Sequence, residues 1–142
     1  MLLGRELVRG AGRLDPRAWA SALADWEQSM ADQGSLDLLG PSTSRAIALI
    51  RQGVDPAEAG RGGTTNGAAM RIAPVGIAVP WGHDGVSRAA FLDAVVAACL
   101  PTHHTSLAIA GAAAVGAVVS AGVGGAADRH GWREVALEAA EG

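Results

Sequence analysis

Apolar residues recur every three or four positions along most of this chain, and no stretch alternates cleanly between apolar and polar. The first spacing builds one face of a helix, whereas alternation would build a strand. Leu2 to Arg9 reads as the tail of a helix, ended by Gly10 and Gly12. Asp15-Pro16 combines an N-cap with a first-turn proline. The helix it opens runs to about Met30 and puts Trp19, Leu23, Trp26 and Met30 on one side, so both tryptophans read as core. Gly34 to Pro41 is a loop. Pro41-Ser-Thr43 then starts a helix with Ile47, Ile50 and Val54 toward its apolar side, ending at Gly53.

The second half continues the pattern. Asp55-Pro-Ala-Glu58 starts a short helical turn, and Gly60 to Gly67 is a glycine-rich loop. Ala68 to Val79 is apolar and helical, interrupted near Pro74, which has no backbone N–H to donate. Pro80 to Gly85 is a turn, and Ser87 to Leu100 a helix stopped by Pro101. Thr102-His-His-Thr105 is a polar link whose last residue caps a long helix to about Ala121, and Gly122, Gly124 and Gly125 end that helix. A final amphipathic helix runs from Gly131 to Glu141. The fold class is therefore all-α: a single domain over residues 1–142, an orthogonal multi-helix bundle around a buried Ala/Gly-rich helix.

Composition narrows the choices. At 49% apolar residues the chain is globular rather than disordered, and a net charge of −3 leaves no basic footprint for nucleic acid. The cations are all Arg, with no Lys, which reads as a coding bias rather than a function. The single Cys99 lies in an apolar run and reads as a buried structural thiol. One cysteine and no secretory leader point to the cytoplasm. Ser106 to Val123 has the length of a membrane span. It is built from Ala, Gly and Val, with no aromatic belt or flanking positive cluster, so it reads as a core helix and no membrane is expected.

Candidate chemistry concentrates in Gly60-Arg-Gly-Gly-Thr-Thr-Asn-Gly67. No Lys-Ser/Thr follows the glycines, so this is not a Walker A loop, and no strand precedes it as a dinucleotide fingerprint requires. Two readings stand: a helix-opening loop capped by Asn66, or a loop that receives an anion through exposed amides. Thr64, Thr65 and Asn66 among four glycines favour binding. Arg71, inside the apolar segment, is either an internal clamp on carbonyls or a carboxylate, or aimed at a ligand. Of the adjacent His103 and His104, one is suited to contact a ligand and the other to face solvent. His83 and His130 read as loop residues, and Asp84, Asp93 and Asp128 are isolated. No pair resembles a built acid/base site, and no spacing suits zinc.

Three motifs in order then carry a resemblance: Pro41-Ser-Thr43, Gly62-Gly-Thr-Thr-Asn-Gly-Ala-Ala-Met-Arg-Ile-Ala-Pro-Val-Gly76, and Thr102-His103 before an Ala-rich helix. Together they resemble the ADP-ribosylglycohydrolase family, the proteins similar to dinitrogenase-reductase-activating glycohydrolase. The resemblance implies an all-α fold that uses two magnesium ions to hold ADP-ribose and hydrolyse its glycosidic link to a protein side chain. It implies that Gly62, Gly63, Thr64, Thr65 and Asn66 line the ADP-ribose cleft, that His103 stands on its wall, and that Arg71 holds the following helix. The partner implied is ADP-ribose or an ADP-ribosylated protein. The family's early Thr-Asp-Asp and late Asp-Thr-Asp metal motifs do not occur here, and Ser35-Leu-Asp-Leu offers a single carboxylate. The chain is thus expected to correspond to the middle of the family domain, with no catalytic or metal-binding residue of its own. The alternative expectation is a non-catalytic ADP-ribose or nucleotide-binding module, or one that self-associates.

Overall fold

The computed structural model describes residues 2–35, 39–82, 86–126 and 128–142. The expectations for His83, Asp84 and the carboxylate of the Ser35-Leu-Asp-Leu stretch lie outside them. The described residues form helices α1 (Leu2–Arg9), α2 (Pro16–Asp32), α3 (Pro41–Arg51), α4 (Pro56–Ala59), α5 (Gly67–Arg71), α6 (Ala73–Ala78), α7 (Arg88–Cys99), α8 (Ser106–Val123) and α9 (Arg129–Glu141), with a 3-10 turn at Gly60–Gly62. Among them there is no strand, and the fold is all-α.

The starts of these helices follow from local chemistry. The Asp15 carboxylate accepts from the amides of Arg17 and Ala18 at 2.8 and 3.1 Å. The bonds from Ala18 and Arg17 hold this carboxyl below its usual range. Asp55, Ser87 and Thr105 cap α4, α7 and α8 in the same way. Asp128, read above as isolated, accepts from the Gly131 amide and caps α9. Proline occupies the first turn of α2, α3 and α4, where its missing N–H leaves nothing unpaired. Gly53 ends α3 at φ +88, a conformation that a Cβ would strain.

The apolar stretch from Ala68 to Val79 is divided where Pro74 interrupts the amide ladder. Ile72 ends α5, and its carbonyl accepts from Val75 at 2.8 Å as α6 begins. Consequently α5 is only five residues long. The loop therefore runs into a helix of little more than one turn, too short to carry an appreciable macrodipole.

Helix α8 is central, packing against α5, α6, α7 and α9. Gly76 of α6 lies so close to the carbonyl of Gly116 that a side chain there could not fit without a shift, and Gly116 in turn packs tightly against the Phe91 ring. Around this contact sit Ile72, Val75, Phe91, Val95 and Cys99, all fully buried, with Trp81 edge-on to Phe91 at 5.2 Å. Burial of α8 is one-sided, with 39% of its positions enclosed. Ala108, Ala112, Gly116 and Ser120 face inward, while Leu107, Val115 and Val123 stand exposed. By length and a mean hydropathy of 1.9 this helix would also suit a membrane.

Candidate functional site

The glycine-rich loop rests on the link between α7 and α8. Gly60 accepts from the His104 amide at 2.8 Å. Gly63 lies against the carbonyl of Thr102 and the Cα of His103, leaving no space for a Cβ. The Thr105 hydroxyl caps α8 and also donates to the Gly63 carbonyl at 2.8 Å. The His104 Nδ1–H donates to the Ala57 carbonyl at 2.9 Å. His104 is therefore half-buried and engaged, not solvated as the sequence suggested.

On this base Thr64, Thr65 and Asn66 are exposed in succession. Asn66 occupies the N-cap position of α5, yet its side chain makes no capping bond. The reading of Asn66 as a cap fails for that reason, and its amide is left for other partners. Gly62 is exposed and lies against the guanidinium of Arg45, which α3 projects toward the loop. Arg45 was not legible as a site residue, because nothing in its neighbourhood in sequence marks it.

His103 does not line the exposed surface: it is 0% accessible, beneath the loop. Its Nε2 lies 3.0 Å from the Thr65 hydroxyl and its Nδ1 2.8 Å from that of Thr102. Burial, and then the nearby Arg71 charge, push its pKa down to about 4. His103 can therefore reach a ligand only through Thr65. Arg71 sits behind it, donating to the Thr102 hydroxyl and, at 3.4 Å, to the Ala98 carbonyl. Its guanidinium carbon is 5.8 Å from the Trp19 ring centre. Trp19 donates to the same Ala98 carbonyl at 3.1 Å. Burial lowers the Arg71 pKa, but a guanidinium remains charged at any ordinary pH. Arg71 is thus an internal clamp on a carbonyl and a hydroxyl. Burial likewise pushes the neighbouring Cys99 thiol up to about 11, against the pull of Arg71, as suits a structural cysteine.

The other face of α5 borders an apolar cavity of about 450 Å³ lined by Trp19, Leu23, Trp26, Leu39, Met70 and Arg71, among others. Thr64, Thr65 and Asn66 take no part in it.

The donors around the loop are hydroxyls, amides and imidazoles, whereas magnesium calls for carboxylates in octahedral arrangement. Among the described residues no three His, Cys, Asp or Glu side chains come together. Three carboxylates on neighbouring segments are paired with arginines: Glu58 with Arg61, Asp55 with Arg17, Glu27 with Arg51. The described residues do not fit a magnesium pair.

A family profile for ADP-ribosylglycohydrolase matches residues 1–141. The chain is 35% identical over 125 residues to the uncharacterized protein YegU of Escherichia coli K12, covering 88% of this chain and 36% of that protein. It is 34% identical over 109 residues to an uncharacterized protein of Archaeoglobus fulgidus, covering 77% of this chain and 33% of that one. The chain thus spans about a third of the length of these curated relatives. No solved structure matches. The chain belongs to the ADP-ribosylglycohydrolase family.

Proposed function

We propose that this chain forms one wall of an ADP-ribose cleft, with Gly62, Gly63, Thr64, Thr65 and Asn66 facing diphosphate and ribose. The observation that carries this reading is the contrast within the loop. Its backbone is tied down through the Gly60 and Gly63 carbonyls and the Thr65 hydroxyl meets His103, while three consecutive polar residues remain exposed and Asn66 is not used as a cap. Such preorganisation lowers the ordering cost of binding. Arg45 beside Gly62 adds a cation suited to a diphosphate.

Membership of the family supports ADP-ribosylated molecules as the substrate class. Hydrolysis of the glycosidic link would need magnesium ligands, and none come together at the loop among the described residues. We therefore assign it binding, not turnover by itself. Calorimetry with ADP-ribose tests the binding: the expected result is weak binding that Asn66→Ala weakens further, and no heat at millimolar ligand would overturn the assignment. Magnesium-dependent release of ADP-ribose from a modified arginine or serine by this chain alone would contradict the second part.

One observation favours a second reading, an interaction module. Leu107, Val115 and Val123 on α8 and Leu137 on α9 are exposed apolar residues. A concentration-dependent mass in sedimentation would support it.

A further inference from the structure

We infer that Arg71, Thr102 and His103 form a one-way hydrogen-bond chain that presents Thr65 to its ligand as a donor, and that Thr102 is a positioning residue for binding although it never reaches the loop surface. The inference rests on the reading of the loop as a ligand wall, but its direction follows from the buried groups alone.

The guanidinium sets the first link. Arginine has donors only, so the Thr102 oxygen accepts from Arg71. Thr102 is 0% accessible and has one hydrogen to place. Its remaining hydrogen-bond neighbour is the Nδ1 of His103 at 2.8 Å. A buried hydroxyl hydrogen left without an acceptor is costly, so Thr102 donates to Nδ1. A neutral imidazole that accepts at one nitrogen carries its hydrogen on the other. Nε2–H therefore points at Thr65, whose oxygen accepts at 3.0 Å. The burial and cationic neighbour that keep His103 neutral leave a single ring hydrogen, so the direction is not shared between two states.

At the exposed end, the Thr65 oxygen has accepted a bond from below, and its own hydrogen is free to turn outward. A ligand rich in acceptors, such as a phosphate, is then met by a donor. The reverse order would put Nδ1–H on Thr102, give that oxygen two incoming donors and strand its own hydrogen. It would also draw the Thr65 hydrogen inward and turn lone pairs toward the ligand. The choice is made more than 30 residues away in sequence, at a threonine between a half-buried arginine and a buried histidine.

The first test needs no ligand. In protein labelled with 15N-histidine, a two-bond proton–nitrogen correlation at pH 7 should show His103 as the Nε2–H tautomer. An Nδ1–H tautomer or a doubly protonated ring would overturn the direction whether or not the loop binds anything. The second test uses ADP-ribose. Thr102→Val keeps the shape and removes the hydroxyl; it should release His103 to a mixture of tautomers and weaken binding about 10-fold. Thr102→Ser should restore both. Combined with Thr65→Val it should add little, because the two changes break one chain. Thr102→Val with native helicity and affinity within twofold of the parent would overturn the positioning role. Absence of any ADP-ribose binding by the parent chain would overturn the ligand reading and leave the tautomer result standing.

Discussion

The two faces of α5 are built on opposite plans. On one, a polar loop is tied down through Thr105, His104 and the chain from Arg71 to Thr65, and ends in exposed hydroxyl and amide groups. On the other, Trp19, Trp26, Leu23 and Met70 surround an apolar space that none of the loop's polar side chains enters. Arg71 belongs to both, lining the cavity while donating to Thr102 on the loop's buried base. The difference teaches that space and hydrogen-bonding capacity are separate properties: the loop presents fixed polar groups with unspent capacity, whereas the cavity offers mainly apolar walls.

The contrast has measurable consequences, the largest in pH. An unfolded His103 protonates near pH 6.5, but the folded one stays neutral to about 4. The unfolded state therefore binds more protons in that window, and stability is complete above pH 6.5 and lost as pH falls toward 4. The expected loss is up to about 3 kcal/mol. Urea denaturation across this range should show the slope, and His103→Asn should flatten it. Next, Arg71→Met removes the group shared by both faces. It should destabilise by about 2 kcal/mol in the same assay, the cost of losing bonds to a charged donor in a buried setting. Gly63→Ala forces the loop off the Thr102 carbonyl and should cost about 1–2 kcal/mol. It should also abolish ADP-ribose binding, whereas Arg71→Met leaves the loop backbone in place.

Two smaller changes separate the faces by affinity. Arg45→Gln should weaken ADP-ribose binding by about threefold in calorimetry, a loss erased at high salt, because an exposed charge is screened. Met70→Gln, on the cavity side at an exposed position, should change neither affinity nor stability beyond about 0.5 kcal/mol.

Much of this layout was legible in the sequence, where the controlling chemistry is local. Asp15, Asp55 and Thr105 act as caps within three residues of their targets. Pro74 divides its helix because proline lacks a donor. The placement of Arg71 as a clamp on a carbonyl follows from a cation in an apolar run. What the sequence did not disclose is contact through space. His103 lies under the loop rather than on it, because Gly63 and Thr65 settle over the α7–α8 link from almost 40 residues away. Arg45 reaches Gly62 from another helix without any motif around it. The exposed stripe on α8 was equally hidden, since a run of Ala, Gly and Val looks the same whether one side is covered or both.

The central claim is that the loop, not the cavity, receives the ligand, and amide chemical shifts during a titration with ADP-ribose test it most directly. Shifts should centre on Gly62 to Asn66, with a dissociation constant on the order of 1 mM and with the indole N–H signals of Trp19 and Trp26 unmoved. Shifts concentrated on those indoles, with the loop amides unchanged, would contradict it.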